Sequence, residues 1–151
     1  AWYDILQMGG GAEDEAGIRE SQSRIEDLIS EQKKKGIPAD KIALAGFSQG
    51  GAIVLQTALR SAERLAGVLA LSTYLPLRDK LRDERSGANQ DLPIYMAHGE
   101  FDPMIGIERA QHSRDALQSL GYKVEWHEYP MPHSVHPQEI ADIAAFLLRI
   151  L

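Results

Sequence analysis

One pentapeptide, Gly-Phe-Ser-Gln-Gly at residues 46–50, constrains this chain more than any other stretch. It follows residues 41–47, a short apolar run typical of a buried strand, and it precedes residues 50–62, where apolar side chains recur at helical spacing. A serine in G-x-S-x-G between a strand and a helix lies on a sharp turn that exposes its hydroxyl. We expect glycine on both sides of Ser48, because side chains there would collide with the neighbouring strand and helix.

The same alternation of strand and helix continues along the chain. Further strands are predicted at residues 65–71, 93–97 and 122–128, and further helices at residues 18–35, 107–120 and 137–151. The glycines at residues 9–11 predict a turn before the first helix, and the charged residues 78–85 predict a surface excursion. Four strands separated by four helices indicate a three-layer α/β fold, with a mostly parallel sheet and helices on both faces.

Length and composition limit the classes of function. A chain of 151 residues has the size of one domain. A formal net charge of -6 would repel a phosphate backbone, so no nucleic-acid partner is expected. The absence of cysteine excludes disulfides, a thiol nucleophile and a thiolate metal site. Residues 65–71 form the longest apolar stretch, far below the roughly 20 residues that span a bilayer, so stable membrane insertion is not expected.

A nucleophilic serine needs a base and a residue that orients the base. Asp102 is the preferred orienting residue because it follows the predicted strand 93–97, where loops face the same sheet edge as Ser48. The rival carboxylates lie in the charged excursion or inside predicted helices: Asp79, Asp83, Asp91, Asp115 and Asp142.

Five histidines compete for the role of base. His133 is preferred because its loop joins the last strand to the last helix and opens at the same sheet edge. His136 is the nearest rival, while His112 lies within a helix, His127 on a strand and His98 at a strand end. His133 and His136 could also be read as metal ligands, but no third ligand lies at matching spacing, so neither a metal nor another cofactor is expected.

Six segments, residues 2–4, 36–42, 46–52, 71–76, 98–102 and 129–133, carry a family resemblance that covers nearly the whole chain. In this order they resemble the bacterial carboxylesterase branch of the phospholipase/carboxylesterase family. That family is similar to acyl-protein thioesterases and lysophospholipases, and its members share the α/β-hydrolase fold. The chain departs from the family pattern at Pro132, where members usually carry glycine.

The resemblance implies a serine carboxylesterase that works through an acyl-enzyme. Ser48 would be the nucleophile, Asp102 the orienting residue, His133 the base and the backbone amide of Gln49 one oxyanion donor. Loop residues near Ser48 predict a modest apolar groove for short or medium acyl chains, lined by Tyr74, Leu75, Met104 and Ile105. Acyl-protein thioesterase and lysophospholipase activities remain alternatives, as does a degenerate hydrolase that only binds a partner. The resemblance also suggests a cytoplasmic protein and allows a homodimer.

The resemblance further implies that part of the domain precedes Ala1. Members of the family begin with several strands and a loop that supplies a second oxyanion amide, and residues 1–151 contain no counterpart. The strand at residues 41–47 would then lack a neighbour on one side, although it has no proline or inward charge to protect an edge. We therefore expect the isolated chain to aggregate or to be nearly inactive until roughly 60 to 70 upstream residues are supplied.

Overall fold

A computed structural model of the chain describes residues 1–5 and 12–151, so the predicted turn at residues 9–11 lies outside the described residues. Strands and helices alternate through the described part. They are α1 (Glu15–Lys34), β1 (Ala43–Phe47), α2 (Gln49–Arg60), β2 (Gly67–Leu71), α3 (Arg78–Glu84), β3 (Ile94–Gly99), α4 (Ile107–Ser119), β4 (Val124–Tyr129) and α5 (Pro137–Ile150). Short 3₁₀ helices occupy Ala39–Lys41 and Gly87–Asn89.

The strands form one four-stranded parallel sheet in the order β1-β2-β3-β4. Phe47 at the end of β1 pairs with Leu71 at the end of β2, and Leu71 pairs in turn with Ala97 of β3. Because all four strands run in the same direction, the loops that follow them begin at the same edge of the sheet. This edge is where the candidate site lies.

The sheet is covered on both faces. Alternate residues of β2 belong to different apolar clusters: Val68 packs with Leu55 of α2 and Leu117 of α4, whereas Leu69 packs with Phe146 of α5. Successive side chains of a strand point to opposite faces, so two clusters mean two helical layers. The predicted three-layer α/β architecture is confirmed. None of the described helices combines the length and apolarity needed to cross a membrane.

The charged stretch at residues 78–85 differs from the prediction, because it contains the helix α3. The described part therefore has five α-helices, and the predicted count of four helices was wrong. Leu81 is the buried residue of α3, and one buried side chain in seven residues leaves no apolar periodicity to detect. The helix is instead tied down by Glu84, which bonds to Arg19 of α1 and Arg60 of α2.

Candidate active site

Ser48 lies in a strained turn between β1 and α2. Its backbone has φ 55° and ψ −124°, a region that residues with a Cβ atom seldom adopt. Two hydrogen bonds join this turn to the C-terminal end of β2 and the loop after it. Ser48 N donates to the Leu71 carbonyl at 2.9 Å, and Thr73 Oγ1 donates to the Ser48 carbonyl at 2.7 Å. These hydrogen bonds therefore stabilise the strained backbone conformation of Ser48.

The glycines around Ser48 are not equivalent. A Cβ atom on Gly46 would lie 2.3 Å from the Gly50 carbonyl, and one on Gly51 would lie 2.7 Å from Thr73 Cγ2. A Cβ atom on Gly50 would meet Trp2 Nε1 at 3.5 Å, which is an ordinary contact. The expectation that steric crowding demands glycine on both sides of Ser48 is thus met at Gly46 and wrong at Gly50, because α2 leaves room there.

The structure brings Ser48, His133 and Asp102 into one chain of hydrogen bonds. His133 Nε2 lies 3.0 Å from Ser48 Oγ, and His133 Nδ1 lies 2.7 Å from Asp102 Oδ2. A carboxylate only accepts hydrogen bonds, so Nδ1 carries the proton and Nε2 presents its lone pair to the serine hydroxyl. The three side chains come from the loops after β1, β3 and β4 and meet at one sheet edge.

Asp102 is buried and uses its two oxygens differently. Oδ1 accepts the backbone amides of Met104 at 2.8 Å and Ile105 at 2.9 Å, while Oδ2 faces His133. Burial raises the pKa of the carboxyl group, but hydrogen bonds from Ile105, His133 and Met104 outweigh it and hold the pKa below its ordinary value. Asp102 is therefore ionised at neutral pH with its orientation fixed.

The loop that carries His133 packs closely against the end of β3. A Cβ atom on Gly99 would lie 2.3 Å from the Met131 carbonyl oxygen, so only glycine allows this approach. The amide of Phe101 donates to the same carbonyl at 3.2 Å. Pro132, which replaces the glycine usual in the family, is compatible with both hydrogen bonds of His133.

In the described part of the chain the rival histidines form no hydrogen bond with Ser48, although His98 Nε2 also lies 3.4 Å from Asp102 Oδ2. His136 caps the N-terminus of α5 in a capping box with Glu139. His98 is buried and its Nε2 lies 2.8 Å from the Ile105 carbonyl oxygen, while His127 Nε2 lies 3.0 Å from Glu125 Oε1. His112 belongs to the wall of the cavity described below.

In the described part of the chain the rival carboxylates form no hydrogen bond with His133 and lie elsewhere. Asp79 and Asp83 lie on α3, Asp115 pairs with Arg114, and Asp142 accepts from the Tyr129 hydroxyl. Asp91 lies in the connection before β3. Across residues 1–5 and 12–151, no three histidine or carboxylate side chains are grouped so that they could hold a metal ion.

A cavity of about 620 Å³ is lined by all four residues predicted to bind substrate: Tyr74, Leu75, Met104 and Ile105. It adjoins the Asp102 loop through Met104 and Ile105. Its wall also carries charged side chains from α3 and α4, including Arg78, Lys80, Glu108 and Arg109. The Arg109 guanidinium lies over the Tyr74 ring, 3.4 Å from its centroid. The cavity is thus more polar than the apolar groove predicted from the sequence.

Gln49 is the first residue of α2, so its backbone amide has no acceptor within the helix. Its side chain holds the N-terminal segment: Nε2 donates to the Tyr3 carbonyl at 3.0 Å, and Oε1 accepts from Trp2 N at 3.3 Å. These bonds fix the start of α2 beside Ser48.

Two residues that touch the site were missed by the sequence reasoning. Thr73 supports the Ser48 turn, and its position just after a predicted strand could have drawn attention to it. The ring of Phe47 lies 4.8 Å from the ring of His133, centroid to centroid. No sequence pattern signals that contact, because it depends on how the loop after β4 returns to β1.

Comparison with known proteins relates this chain to the phospholipases and carboxylesterases. The profile of a family described as Phospholipase/Carboxylesterase matches residues 1–151. Acyl-protein thioesterase 1 of Mycosarcoma maydis is 43% identical over 166 residues, covering 100% of this chain and 69% of that protein. Acyl-protein thioesterase 1 of Neurospora crassa is 43% identical over 159 residues, covering 99% of this chain and 65% of that protein.

Solved structures agree with this comparison. Arabidopsis thaliana SOBER1 superposes with a TM-score of 0.93 at 25% identity, covering 99% of this chain and 73% of that one. Zea mays acyl-protein thioesterase 2 superposes with a TM-score of 0.86 at 26% identity, covering 99% and 71% respectively. The chain therefore spans roughly two thirds to three quarters of each of these four relatives.

Proposed function

The chain belongs to the phospholipase/carboxylesterase family, and from this premise we propose that it hydrolyses carboxylic esters or thioesters with Ser48, His133 and Asp102 as a catalytic triad. The observation that carries the proposal is the chain of hydrogen bonds from Asp102 Oδ2 through His133 to Ser48 Oγ. Both separations, 2.7 and 3.0 Å, are within hydrogen-bond reach, as proton transfer requires.

Acylation begins when His133 Nε2 takes the proton from Ser48 Oγ. The oxygen attacks the substrate carbonyl carbon, the carbonyl π bond opens, and a tetrahedral oxyanion forms. The intermediate collapses by breaking the bond to the alcohol or thiol, which leaves with the proton from His133. Asp102 keeps the imidazole in the correct tautomer and stabilises the imidazolium that forms in both transition states.

Deacylation repeats the sequence with water. His133 Nε2 takes a proton from water, the hydroxide oxygen attacks the acyl carbon, and the second tetrahedral intermediate expels Ser48 Oγ. His133 returns its proton to that oxygen, so the carboxylic acid leaves and the enzyme is restored. The amide of Gln49, free at the start of α2, is the proposed donor to both oxyanions.

The first experiment is labelling with a fluorophosphonate probe followed by peptide mapping. We expect the label at Ser48, no labelling of Ser48→Ala, and normal labelling of the matched control Ser134→Ala in the His133 loop. Labelling at another residue would refute the assignment of the nucleophile. A well-folded protein that neither labels nor hydrolyses ester, even when tested with the upstream residues that the family resemblance implies, would favour a degenerate hydrolase that only binds a partner.

The substrate is proposed to carry a short or medium acyl chain. The wall of the cavity beside the Asp102 loop carries charged side chains, including Arg78, Lys80 and Arg109, and burying a long alkyl chain against them is unfavourable. In a series of p-nitrophenyl esters we expect kcat/KM to peak at short or medium acyl length. A maximum at long-chain emulsified esters would contradict this proposal.

A second candidate, acyl-protein thioesterase activity, is favoured by the relatives at 43% identity that carry that name. The proposed chemistry is the same for both candidates until the leaving group departs. Matched oxygen-ester and thioester peptides with identical acyl chains separate the two. A much higher kcat/KM for the thioester peptide would select the second candidate, and a preference for simple oxygen esters would select the first.

A further inference from the structure

Phe47 packs against the imidazole ring of His133. Both ring nitrogens of His133 are engaged, Nδ1 with Asp102 and Nε2 with Ser48. The Phe47 ring packs on the imidazole with centroids 4.8 Å apart and planes tilted by 51°. The Phe47 side chain is still 38% exposed, so Phe47 is not a buried core residue.

Phe47 is next to Ser48 in the sequence and in contact with His133 in space. Phe47 is the last residue of β1 and directly precedes Ser48, and its backbone is in register with Leu71 of β2. The ring that packs on His133 and the hydroxyl that His133 deprotonates are thus carried by adjacent residues. A shift of the His133 ring away from Ser48 would have to break the contact with Phe47.

The contact should also strengthen during the reaction. His133 is neutral before proton transfer and becomes a cation in both transition states of the proposed mechanism. The face of an aromatic ring attracts a cation within about 6 Å of its centroid. An interaction that is stronger in the transition state than in the ground state raises kcat without tightening substrate binding.

We propose that Phe47 is a positioning residue that holds the His133 imidazole toward Ser48 and stabilises its protonated form. This inference rests on the proposed function, because it assigns Phe47 a role only if His133 is the base. In the described part of the chain, the titratable group bonded to His133 is the Asp102 carboxylate. That group is unchanged in the variants below.

The test uses the rate of Ser48 labelling by a small fluorophosphonate. In this reaction the Ser48 oxygen forms a bond to phosphorus, the phosphorus–fluorine bond breaks, fluoride leaves, and His133 accepts the proton. Phe47→Leu and Phe47→Met remove the ring, whereas Phe47→Tyr and Phe47→Trp keep one. The matched control is Phe101→Leu, because Phe101 is 67% exposed on the neighbouring loop and has no ring contact with His133 among the described residues.

We expect the two ringless variants to label about two- to fivefold more slowly than wild type, the rate equivalent of a partly exposed cation–π contact. With an ester substrate kcat should fall while KM stays constant. Phe47→Tyr, Phe47→Trp and Phe101→Leu should behave as wild type.

Two results would overturn the inference. One is wild-type labelling rates and wild-type kcat in both ringless variants. The other is an equal loss in all four Phe47 variants, which would indicate a packing requirement unrelated to an aromatic face. Failure of the wild-type protein to label at Ser48, even when tested with the upstream residues that the family resemblance implies, would instead reject the proposed function itself. The inference is tested by comparing labelling rates between the variants with an aromatic ring at residue 47 and those without one, so it remains testable even if one variant folds poorly.

Discussion

At the residue scale, the two oxygens of Asp102 have different partners, and this difference governs the protonation of His133, the proposed base. Oδ1 is held by two backbone amides, those of Met104 and Ile105, so the carboxylate cannot rotate freely. Oδ2 is left as the acceptor for His133 Nδ1. This arrangement decides which tautomer His133 adopts, and therefore whether Nε2 can accept the Ser48 proton.

Asp102→Asn is predicted to lower kcat by about 10³ to 10⁴ while leaving the fold intact. The amide oxygen should take the place of Oδ1 on the two backbone amides, which puts the NH₂ group opposite His133 Nδ1. His133 would then be protonated on Nε2 and unable to act as a base. Steady-state kinetics tests this, with Asp83→Asn on the exposed side of α3 as the control. A variant with near-normal kcat would contradict the assigned role of Asp102.

The triad residues could be chosen from the sequence because each lies in a loop after a predicted strand of a parallel sheet. Strand order and direction alone bring Ser48, Asp102 and His133 to one edge. The contacts of Phe47 and Thr73 could not be chosen this way, because they depend on side-chain directions in the finished turn. The charged wall of the cavity was missed for a related reason: part of it is built by α3, which has no apolar periodicity.

At the element scale, the β1–α2 turn separates glycines that are required from one that is not. Gly46→Ala is predicted to destabilise the domain by about 3 kcal/mol or more, because its Cβ atom would lie 2.3 Å from the Gly50 carbonyl. Gly50→Ala should range from neutral to about 1 kcal/mol stabilising, since alanine is the better helix former and its Cβ atom has room. Urea unfolding of the two variants measures the difference. Equal losses would show that the turn tolerates neither substitution.

The helix α3 is attached to the rest of the domain by charge more than by apolar contact. Glu84 bonds to Arg19 and to Arg60, and the side chain of Arg60 is only 4% exposed. Burial raises the pKa of Glu84, but the hydrogen bonds from Arg19 and Arg60 outweigh it and lower the pKa below its ordinary value of 4.5. A carboxyl group with a lowered pKa stabilises the folded state above its unfolded pKa, and loses that contribution as the pH falls through the folded pKa.

Glu84→Gln is therefore predicted to cost about 1 to 2 kcal/mol of unfolding free energy at pH 7, because it leaves the buried Arg60 without a charged partner. The difference from wild type should shrink as the pH falls below 4.5. Urea unfolding at a series of pH values checks both statements. Glu20→Gln, which affects only an exposed pair with Arg24, should change stability by no more than about 0.5 kcal/mol at any pH. A pH-independent loss would argue against the ion pairs as its cause.

At the scale of the whole molecule, β1 and β4 are the two edge strands of the sheet among the described strands. In the described part of the chain, β1 pairs with β2 alone. Three of its five residues are partly buried and two, Ala45 and Phe47, are exposed, whereas those of β3 are buried throughout. The sequence predicted a strand apolar on both faces at this position, which suits an interior strand better than an edge. Nothing in Ala43–Phe47 provides the charge or proline that usually protects an edge.

We predict that this chain self-associates through β1 and that a charge on that strand weakens the association. Ala45 is exposed at the middle of β1, so Ala45→Lys adds a charge at the edge without removing a core side chain. Ala145→Lys, on the exposed side of α5, adds the same charge away from the edge and serves as the control. Light scattering coupled to size-exclusion chromatography should show the wild type and Ala145→Lys growing in mass with concentration, and Ala45→Lys remaining closer to a monomer. Equal behaviour of the two lysine variants would contradict association through β1. If both still associate, the contact lies elsewhere on the surface; if both become monomeric, the added net charge explains the change.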